Sequence, residues 1–189
     1  ILLLGMGGGN HPGADLTDSL MLISVNLLSG DTVIISLPRD IWVESLSAKL
    51  NTAYHFGETK ESGGGLVLAK ADVSEITHKP IHYAVLLDFT GFEKAIDALG
   101  GISIEVMRDF FDPRYPGKNY SYETFEIKKG WQTLDGATAL KYVRERHNDP
   151  EGDFGRAKRQ QQMLQAIKDK AFSLETFFNI FAINKFLTA

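Results

Sequence analysis

The amino-acid sequence predicts a single α/β domain. Short apolar or alternating runs typical of strands occur beside segments with helical periodicity along most of the chain. The chain has 189 residues, of which 43% are hydrophobic. This is enough for one full core, since domains of about 100–200 residues are common. We therefore expect residues 1–189 to form one domain.

Charge and composition exclude several classes of protein. The formal net charge of −4 argues against a general nucleic-acid binder, which needs a basic surface to displace counterions. The absence of cysteine excludes a disulfide scaffold, a thiolate metal site and a thiol nucleophile. No apolar run reaches the ~18 residues of a membrane span. The chain begins with Ile1 rather than Met, and we expect it to be a soluble domain excised from a longer protein, with any signal or anchor removed.

The N-terminal quarter predicts a buried strand and a β-hairpin. Residues 1–4 are apolar and run into a glycine-rich loop that contains Gly7, Gly8 and Gly9. The loop lacks the lysine and spacing of a P-loop, so it is either a phosphate cradle or a plain mobile loop. Residues 20–26 and 32–37 predict two strands joined by a tight turn.

Arg39 and Asp40 mark the exit of the second hairpin strand. Pro38 ends this strand because proline has no N–H for the ladder. Strand ends are where α/β proteins build sites, so both residues are functional candidates. The alternative is a surface ion pair of Arg39 and Asp40 with each other or with a neighbour.

The middle of the chain predicts two helices and a β-α-β unit. The helices are expected over residues 49–57, with Gly57 as the stop, and over residues 63–73. A strand over 80–88, a helix over 92–99 and an alternating strand over 102–106 form the expected β-α-β unit.

Two aromatic segments are open to two interpretations each. Residues 108–126 either cover the core or line a site for an apolar ligand. The apolar tail over 172–187 either packs as an amphipathic segment or contacts an acyl or prenyl chain.

Four of the seven arginines lie between positions 144 and 159. If this stretch is extended, Arg144 and Arg146 project from one face, because side chains on a strand repeat every two residues. A short helix over 134–141 is expected before them. A further helix is expected after them, with Asp153 as its N-cap and with Arg156 and Gln160 one turn apart.

This arrangement favours a polyanionic phosphate ligand such as pyrophosphate. Free N–H groups at a helix N-terminus attract anions, and a guanidinium fork matches two phosphate oxygens. The alternative is a solvated face, or arginines paired with surface carboxylates.

With its other landmarks, the sequence resembles the LytR-CpsA-Psr family, enzymes that move lipid-linked glycopolymers onto the bacterial cell wall. The landmarks occur in family order at residues 1–5, 16–19, 36–40, 49–54, 97–101, 134–140 and 144–161. The resemblance implies a three-layer α-β-α sandwich with a central mixed sheet and an apolar groove for a polyprenyl chain. It implies a phosphotransferase that moves a glycopolymer from a polyprenyl-pyrophosphate carrier onto a peptidoglycan hydroxyl. It also implies an N-terminal membrane helix that holds the domain outside the cell. No nucleic-acid partner is expected, because the net charge is −4.

The resemblance also implies roles for individual residues. Phosphate contact is implied for Arg39, Arg144, Arg146, Arg156 and Gln160, and Mg²⁺ binding for Asp18. Many family members carry an aspartate where this chain has its three glycines, so either Asp15 replaces it or phosphate oxygens hold the ion. Asp40 and Asp153 are candidates to orient an arginine or to accept a proton.

Two other functions are compatible with the sequence. A transcriptional attenuator, which the family's older name suggests, needs a basic surface that the net charge opposes. A non-catalytic polyprenyl-phosphate carrier needs the apolar groove but no metal.

Overall fold

A computed structural model describes residues 1–9, 13–117, 121–146 and 149–171. Contacts within the chain divide it into two compact units, Ile1–Thr90 and Gly91–Ala189. Each unit has its own cluster of buried apolar side chains. The expectation that residues 1–189 make one domain stays a prediction.

The first unit is built on a mixed four-stranded sheet. Its strands are β1 (Leu2–Met6), β2 (Thr17–Val25), β3 (Thr32–Leu37) and β6 (Ala84–Asp88), in the order β3-β2-β1-β6. Strand β1 runs antiparallel to β2 and parallel to β6. The predicted hairpin is confirmed, because β2 and β3 pair antiparallel from Leu20↔Leu37 to Val25↔Thr32.

The remaining elements of this unit follow the hairpin. They are the short strands β4 (Trp42–Val43) and β5 (Ala48–Lys49), a 3₁₀ turn at Leu50–Thr52, and the helices α1 (Ala53–Lys60) and α2 (Gly64–Thr77). Leu2 and Leu4 of β1 are fully buried and share one core with Leu50 and Val73. The 3₁₀ turn and α2 therefore contribute to the same core as β1.

Gly57 does not stop the first helix, as the sequence had suggested. It lies inside α1, where a Cβ would collide with the backbone of Gly64. The glycine therefore permits close packing of α1 against α2, and the helix continues to Lys60. The strand expected over 80–88 is shorter than predicted and begins at Ala84.

The second unit combines antiparallel pairs with helices. Its elements are α3 (Phe89–Ala98), which begins at the unit boundary, β7 (Ile102–Val106), β8 (Phe110–Pro116), β9 (Tyr122–Ile127), β10 (Gly130–Leu134), α4 (Gly136–Arg144) and α5 (Gly152–Ala171). Strand β7 pairs with β10, and β8 with β9. Helix α4 is capped by Asp135, whose side chain accepts a hydrogen bond from the Thr138 N–H at 2.8 Å.

The predicted β-α-β unit is wrong within the described residues. Strand β6 pairs with β1, whereas β7 pairs antiparallel with β10. Burial alternates along β7, so only one of its faces is buried. This is typical of antiparallel strands, whereas strands of a parallel sheet are buried on both faces.

The aromatic segment contributes mainly to the core of its unit. Phe110, Tyr115 and Phe125 are buried on the β8–β9 hairpin, whereas Phe111 and Tyr122 are exposed. For the three buried rings the core interpretation is confirmed. The apolar tail over 172–187 lies outside the described residues.

The predicted fold class is confirmed. The described residues form an α/β structure with a central mixed sheet and five α-helices. The apolar groove stays a prediction. None of the helices within the described ranges has both the length and the apolar character needed to cross a membrane.

Asp72 of α2 makes the stability of the protein depend on pH. Its side chain is buried, and Oδ2 has no hydrogen-bond partner among the described residues. Burial and the nearby Glu75 raise the pKa of Asp72 to about 6, from a value of 3.8 for a free aspartate. The folded state therefore binds this proton more tightly than the unfolded state, and the free energy of unfolding falls as pH rises between these values.

We expect Asp72→Asn to remove this loss. Relative to wild type, the variant should gain about 1–3 kcal/mol in the free energy of unfolding between pH 4 and pH 8. Urea unfolding of both proteins at the two pH values measures the gain. A difference between them that does not change with pH would show that Asp72 titrates normally.

Candidate functional site

The arginine stretch joins the last turn of α4 to the first turns of α5. Arg144 ends α4, Arg146 follows in the connection, and Asp153, Arg156 and Gln160 lie on α5. The two helices are in contact at this end, where Gln160 Nε2 donates to the backbone carbonyl of residue 143 at 3.4 Å. The structure thus brings the candidate residues of this unit to one helix junction.

The extended segment expected around Arg144 is wrong. Asp135 caps α4 at its N-terminus. The buried face of α4 includes Ala139, Tyr142 and Val143, so the helix continues through Arg144. The Arg144 guanidinium lies 5.8 Å from the ring centroid of Tyr115. Arg146 is exposed just beyond the helix. The two arginines therefore differ in environment and do not share a strand face.

Asp153 lies one position inside the helix rather than at its N-cap. Helix α5 begins at Gly152, so the Asp153 carboxylate is in the first turn. A negative charge there complements the helix dipole. Its Oδ1 lies 3.4 Å from Arg156 Nη2, and the Arg156 side chain is only 16% exposed. Asp153 is therefore placed to orient Arg156.

Arg159, the last of the four arginines in this stretch, is buried. Its side chain is 6% exposed. Nε donates to the Tyr142 carbonyl at 2.9 Å, Nη2 donates to the Glu145 carbonyl, and Nη1 forms an ion pair with Asp149. Spacing could have revealed its burial, because Gly155, Arg159 and Met163 recur every four residues on one buried stripe.

Asp149 is the anionic partner of two arginines. Its side chain is 3% exposed, and it pairs with Arg108 at 2.8 Å as well as with Arg159. It also accepts a hydrogen bond from the backbone N–H of Glu151 at 2.9 Å. Burial alone would raise the pKa of Asp149, but these hydrogen bonds and charges outweigh burial and lower it. The carboxylate is therefore ionised at neutral pH.

A cavity of about 360 Å³ opens beside this charged cluster. It is lined by Met107, Arg108, Phe110, Tyr142, Asp149, Glu151, Gly155, Lys158, Arg159 and Gln162. Its charged groups are paired with one another, as Arg108 is with Asp149 and Lys158 with Glu151. The cavity therefore borders the helix junction with most of its charge compensated, since two carboxylates face three cationic side chains.

The first unit contains the candidates that the sequence placed near its strand ends. Arg39 follows β3, and its Nη1 lies 2.6 Å from Asp18 Oδ1, while its Nε lies 3.5 Å from Asp40 Oδ2. Lys49 Nζ lies 2.6 Å from Asp40, and this hydrogen bond lowers the pKa of Asp40. Arg39 thus bridges two carboxylates. That it shares one pocket with Arg144, Arg146 and Arg156 stays a prediction.

A bulge in β2 explains why Asp18 points away from the core. Gly5 pairs with Ser19 and Met6 with Thr17, which leaves Asp18 without a partner on β1. Bulges re-aim side chains and are common beside active sites. The Thr17 side chain is buried and donates to the Asn51 carbonyl at 3.2 Å.

The described carboxylates of this unit are not grouped as a protein-only metal site. Within the described ranges, no three His, Cys, Asp or Glu residues are grouped to hold a metal ion. One oxygen of Asp18 is bound by Arg39, and Asp15 Oδ2 lies 2.6 Å from His55 Nδ1. The hydrogen bond from His55 lowers the pKa of Asp15. The remaining oxygens fit a Mg²⁺ that takes most of its ligands from phosphates and water, as this ion commonly does.

Asp88 is a further carboxylate near the glycine-rich loop that the sequence analysis did not single out. It ends β6, pairs with Met6, and its Oδ2 lies 3.1 Å from the place where a Cβ on Gly8 would be. Its position at the carboxyl end of a strand parallel to β1 was the signal that could have found it.

The similarity of the chain to known proteins agrees with these features. The model of the LytR_cpsA_psr family matches residues 1–189. The chain belongs to this family. The resemblance expected from the sequence landmarks is thereby confirmed.

Two curated relatives show how much of a family protein the chain covers. It is 34% identical over 194 residues to the polyisoprenyl-teichoic acid–peptidoglycan teichoic acid transferase TagU of Bacillus cereus, covering 100% of this chain and 57% of the relative. It is 36% identical over 181 residues to the regulatory protein MsrR of Staphylococcus aureus, covering 93% of this chain and 50% of the relative. The chain spans about half the length of these relatives.

Solved structures of the family protein TagT are also similar. One has bound octaprenyl pyrophosphate lipid, is 29% identical with a TM-score of 0.67, and is matched over 96% of this chain and 71% of that one. Another has bound LIIa-WTA, is 27% identical with a TM-score of 0.69, and is matched over 97% of this chain and 73% of that one.

Substitution of Gly155 tests the close contact between α5 and the Asp149 carboxylate. Gly155 lies in α5, where a Cβ would collide with the Asp149 carboxylate. At an unconstrained helix position Gly→Ala would stabilise by up to about 1 kcal/mol. Here we expect Gly155→Ala to lower the free energy of unfolding by about 1–3 kcal/mol, because the carboxylate must leave its arginine partners. Urea denaturation measures this change. A more stable Gly155→Ala variant would mean that the carboxylate is free to move aside.

Proposed function

We propose that this chain is the catalytic domain of a phosphotransferase that moves a glycopolymer from a polyprenyl-pyrophosphate carrier onto a peptidoglycan hydroxyl. One observation carries the proposal: Arg144, Arg146, Arg156 and Gln160 meet at the junction of α4 with the N-terminal turns of α5. Family membership supports it, as do the pyrophosphate lipid bound to TagT and the activity named for TagU.

The junction offers two kinds of attraction for a pyrophosphate. The first turn of α5 presents the positive end of the helix dipole. The guanidinium groups of Arg146 and Arg156 add charge-assisted hydrogen-bond donors. Arg146 forms no ion pair with any residue in the described part of the chain, so a ligand would not have to displace a carboxylate from it.

The reaction exchanges the phosphoanhydride bond of the carrier for a phosphate ester bond to the acceptor. The oxygen of the acceptor hydroxyl bonds to the phosphorus that carries the glycan, and the bond from that phosphorus to the bridging oxygen breaks. Polyprenyl monophosphate leaves with the bonding electrons, and the hydroxyl proton passes to a base or to water. Arginines that neutralise the phosphate oxygens, and a site that holds the hydroxyl in line, lower the barrier. Asp153 and Asp40 are candidates for the base.

Mg²⁺ is part of the proposal. Asp18 would hold it, with Asp15 as a second candidate, and phosphate oxygens would complete its coordination. When bound, the ion supplies positive charge to the phosphate oxygens. Arg39, which lies against Asp18, would add a donor beside it.

The proposal implies a location. Peptidoglycan and its lipid-linked precursors meet at the outer face of the bacterial cell membrane, so the domain would act there. Attachment by an N-terminal helix follows from the family resemblance.

A non-catalytic polyprenyl-phosphate carrier is the second candidate function. It is favoured by one observation, the lack of a three-residue metal cluster within the described ranges. A transcriptional attenuator is disfavoured by the net charge of −4, although one relative is named a regulatory protein. Salt-sensitive binding of DNA would revive it.

Dependence on Mg²⁺ separates the enzyme from the carrier. We expect EDTA to abolish release of glycan phosphate from a pyrophosphate-linked lipid donor, and added Mg²⁺ to restore it. Binding of the donor should persist in EDTA, because the arginines remain. Binding without turnover at any Mg²⁺ concentration would instead identify a carrier.

Replacing Arg146 by Lys tests the phosphate site. Lysine keeps the charge but loses the bidentate fork. Loss of one charge-assisted hydrogen bond that acts in the transition state costs roughly 1.5–3 kcal/mol, on the order of a ten- to hundredfold loss of rate. We expect this loss in turnover, with a melting temperature near that of wild type, because Arg146 is exposed.

Arg114→Lys is the matched control. Arg114 is an exposed arginine on strand β8, outside both α4 and α5. Its replacement should leave turnover unchanged. If turnover were the same in wild type and in both variants, Arg146→Lys and Arg114→Lys, then Arg146 would not bind the phosphate through its guanidinium fork.

A further inference from the structure

The junction of α4 and α5 is held by one buried guanidinium group. Arg159 Nε donates to the carbonyl of Tyr142, Nη2 donates to the carbonyl of Glu145, and Nη1 pairs with Asp149. The first two acceptors lie at the C-terminal end of α4, where backbone carbonyls have no partner within the helix. Arg159 thus satisfies two of them from the neighbouring helix.

The contacts of Arg159 enclose the residues of the proposed phosphate site. Arg144 lies between the two bound carbonyls, and Arg146 follows directly after Glu145. On α5, Arg156 is one turn before Arg159, and Gln160 is the next residue. A shift of Arg159 therefore moves the end of α4 relative to the start of α5.

Asp149 extends the same network into the connection between the helices. It pairs with Arg159 and Arg108, and it accepts the Glu151 N–H just before α5 begins. The Arg159 guanidinium also lies 4.9 Å from the ring centroid of Phe110, a buried core residue. The network is therefore anchored to both helices and to the core of the unit.

We propose that Arg159 is a positioning residue, whose buried guanidinium sets the spacing of Arg144 and Arg146 from Arg156 and so holds the phosphate-binding groups in their productive arrangement. The inference rests on the proposed function. Arg159 does not need to touch the substrate, since its side chain is only 6% exposed and each of its three nitrogens already contacts Tyr142, Glu145 or Asp149.

Arginine is required at this position because three acceptors must be reached in three directions. Lysine keeps the charge, but its ammonium is a single point on a flexible stem and cannot hold both carbonyls and the carboxylate in fixed geometry. Misplacement of catalytic groups by about 1 Å can cost on the order of a hundredfold in rate.

The test compares Arg159→Lys with wild type in the full-length protein. Release of glycan phosphate from the lipid donor is measured with Mg²⁺ at a temperature well below both melting transitions. We expect kcat/KM to fall on the order of ten- to a hundredfold, mainly through kcat, because the arginines act most strongly on the transition state. Asp149→Asn, which keeps the side-chain shape, should give a smaller loss of the same kind.

Two control variants separate positioning from stability. Ile96→Ala removes a fully buried side chain from the same core cluster without touching the junction, so it should lower the melting temperature but leave kcat/KM within about twofold of wild type. Lys158→Gln removes the neighbouring exposed charge, which pairs with Glu151, and should change neither quantity greatly.

A pH profile adds a readout that a purely structural role would not change. Arg159 and Arg108 face Asp149 and help to keep its pKa low, with Tyr142 also nearby. Arg159→Lys should raise the pKa of Asp149, so the acid limb of kcat/KM should move to higher pH. An unchanged acid limb together with a kcat/KM within about twofold of wild type would overturn the inference.

Binding of inorganic pyrophosphate, measured by calorimetry, distinguishes failure of the inference from failure of the proposed function. A wild-type protein without turnover would overturn the proposed function. If that protein still bound pyrophosphate, affinity at least about fivefold weaker in Arg159→Lys would support positioning, and equal affinity would overturn it. If the wild-type protein showed no turnover and no pyrophosphate binding, both the inference and the proposed function would be overturned.

Discussion

The second unit depends on keeping one guanidinium charge inside the protein. Taking a charged group out of water is costly unless it is paired and fully hydrogen-bonded. Arg159 meets this condition with two helix-end carbonyls and the Asp149 carboxylate, and Arg108 adds a second positive charge to the same carboxylate. Because each partner would be left unsatisfied by a displacement, the junction of α4 and α5 has little freedom to move.

This constraint divides the arginine stretch into two kinds of residue. The Arg159 side chain is buried and makes its hydrogen bonds within the protein, whereas Arg146 is exposed and Arg156 lies 3.4 Å from Asp153. A cluster of positive charge in a sequence therefore does not by itself give the number of ligand contacts. The division also explains how several like charges can be held close together, since one of them is neutralised by Asp149.

Local patterns were sufficient for elements whose partners are adjacent in sequence. The β2–β3 hairpin followed from two apolar runs and one turn, and β7 from strict alternation. The β-α-β unit failed because the partner of β7 is β10, more than twenty residues later, and no local pattern encodes that choice. The prediction that Gly57 ends the first helix failed for a related reason. Glycine is favoured both where a helix ends and where two helices pack closely, as α1 and α2 do here.

The candidate residues could be identified from residue type and position in the sequence. Which of them form ion pairs could be seen only in the structure. Asp18 and Arg39 were identified separately, and only the bulge in β2 shows why the carboxylate meets the guanidinium at 2.6 Å. Asp15 is likewise bound by His55, forty positions later. Carboxylates that already carry cationic partners are poor sole ligands for a metal, because the cations compete for the same oxygens. Under the proposed function they would suit a ligand that brings its own negative oxygens together with the ion, since Arg39 would then bind a phosphate and Asp18 would bind Mg²⁺. The ion pairs of the first unit therefore suit a phosphate ligand that arrives with its own metal ion better than they suit a free metal ion.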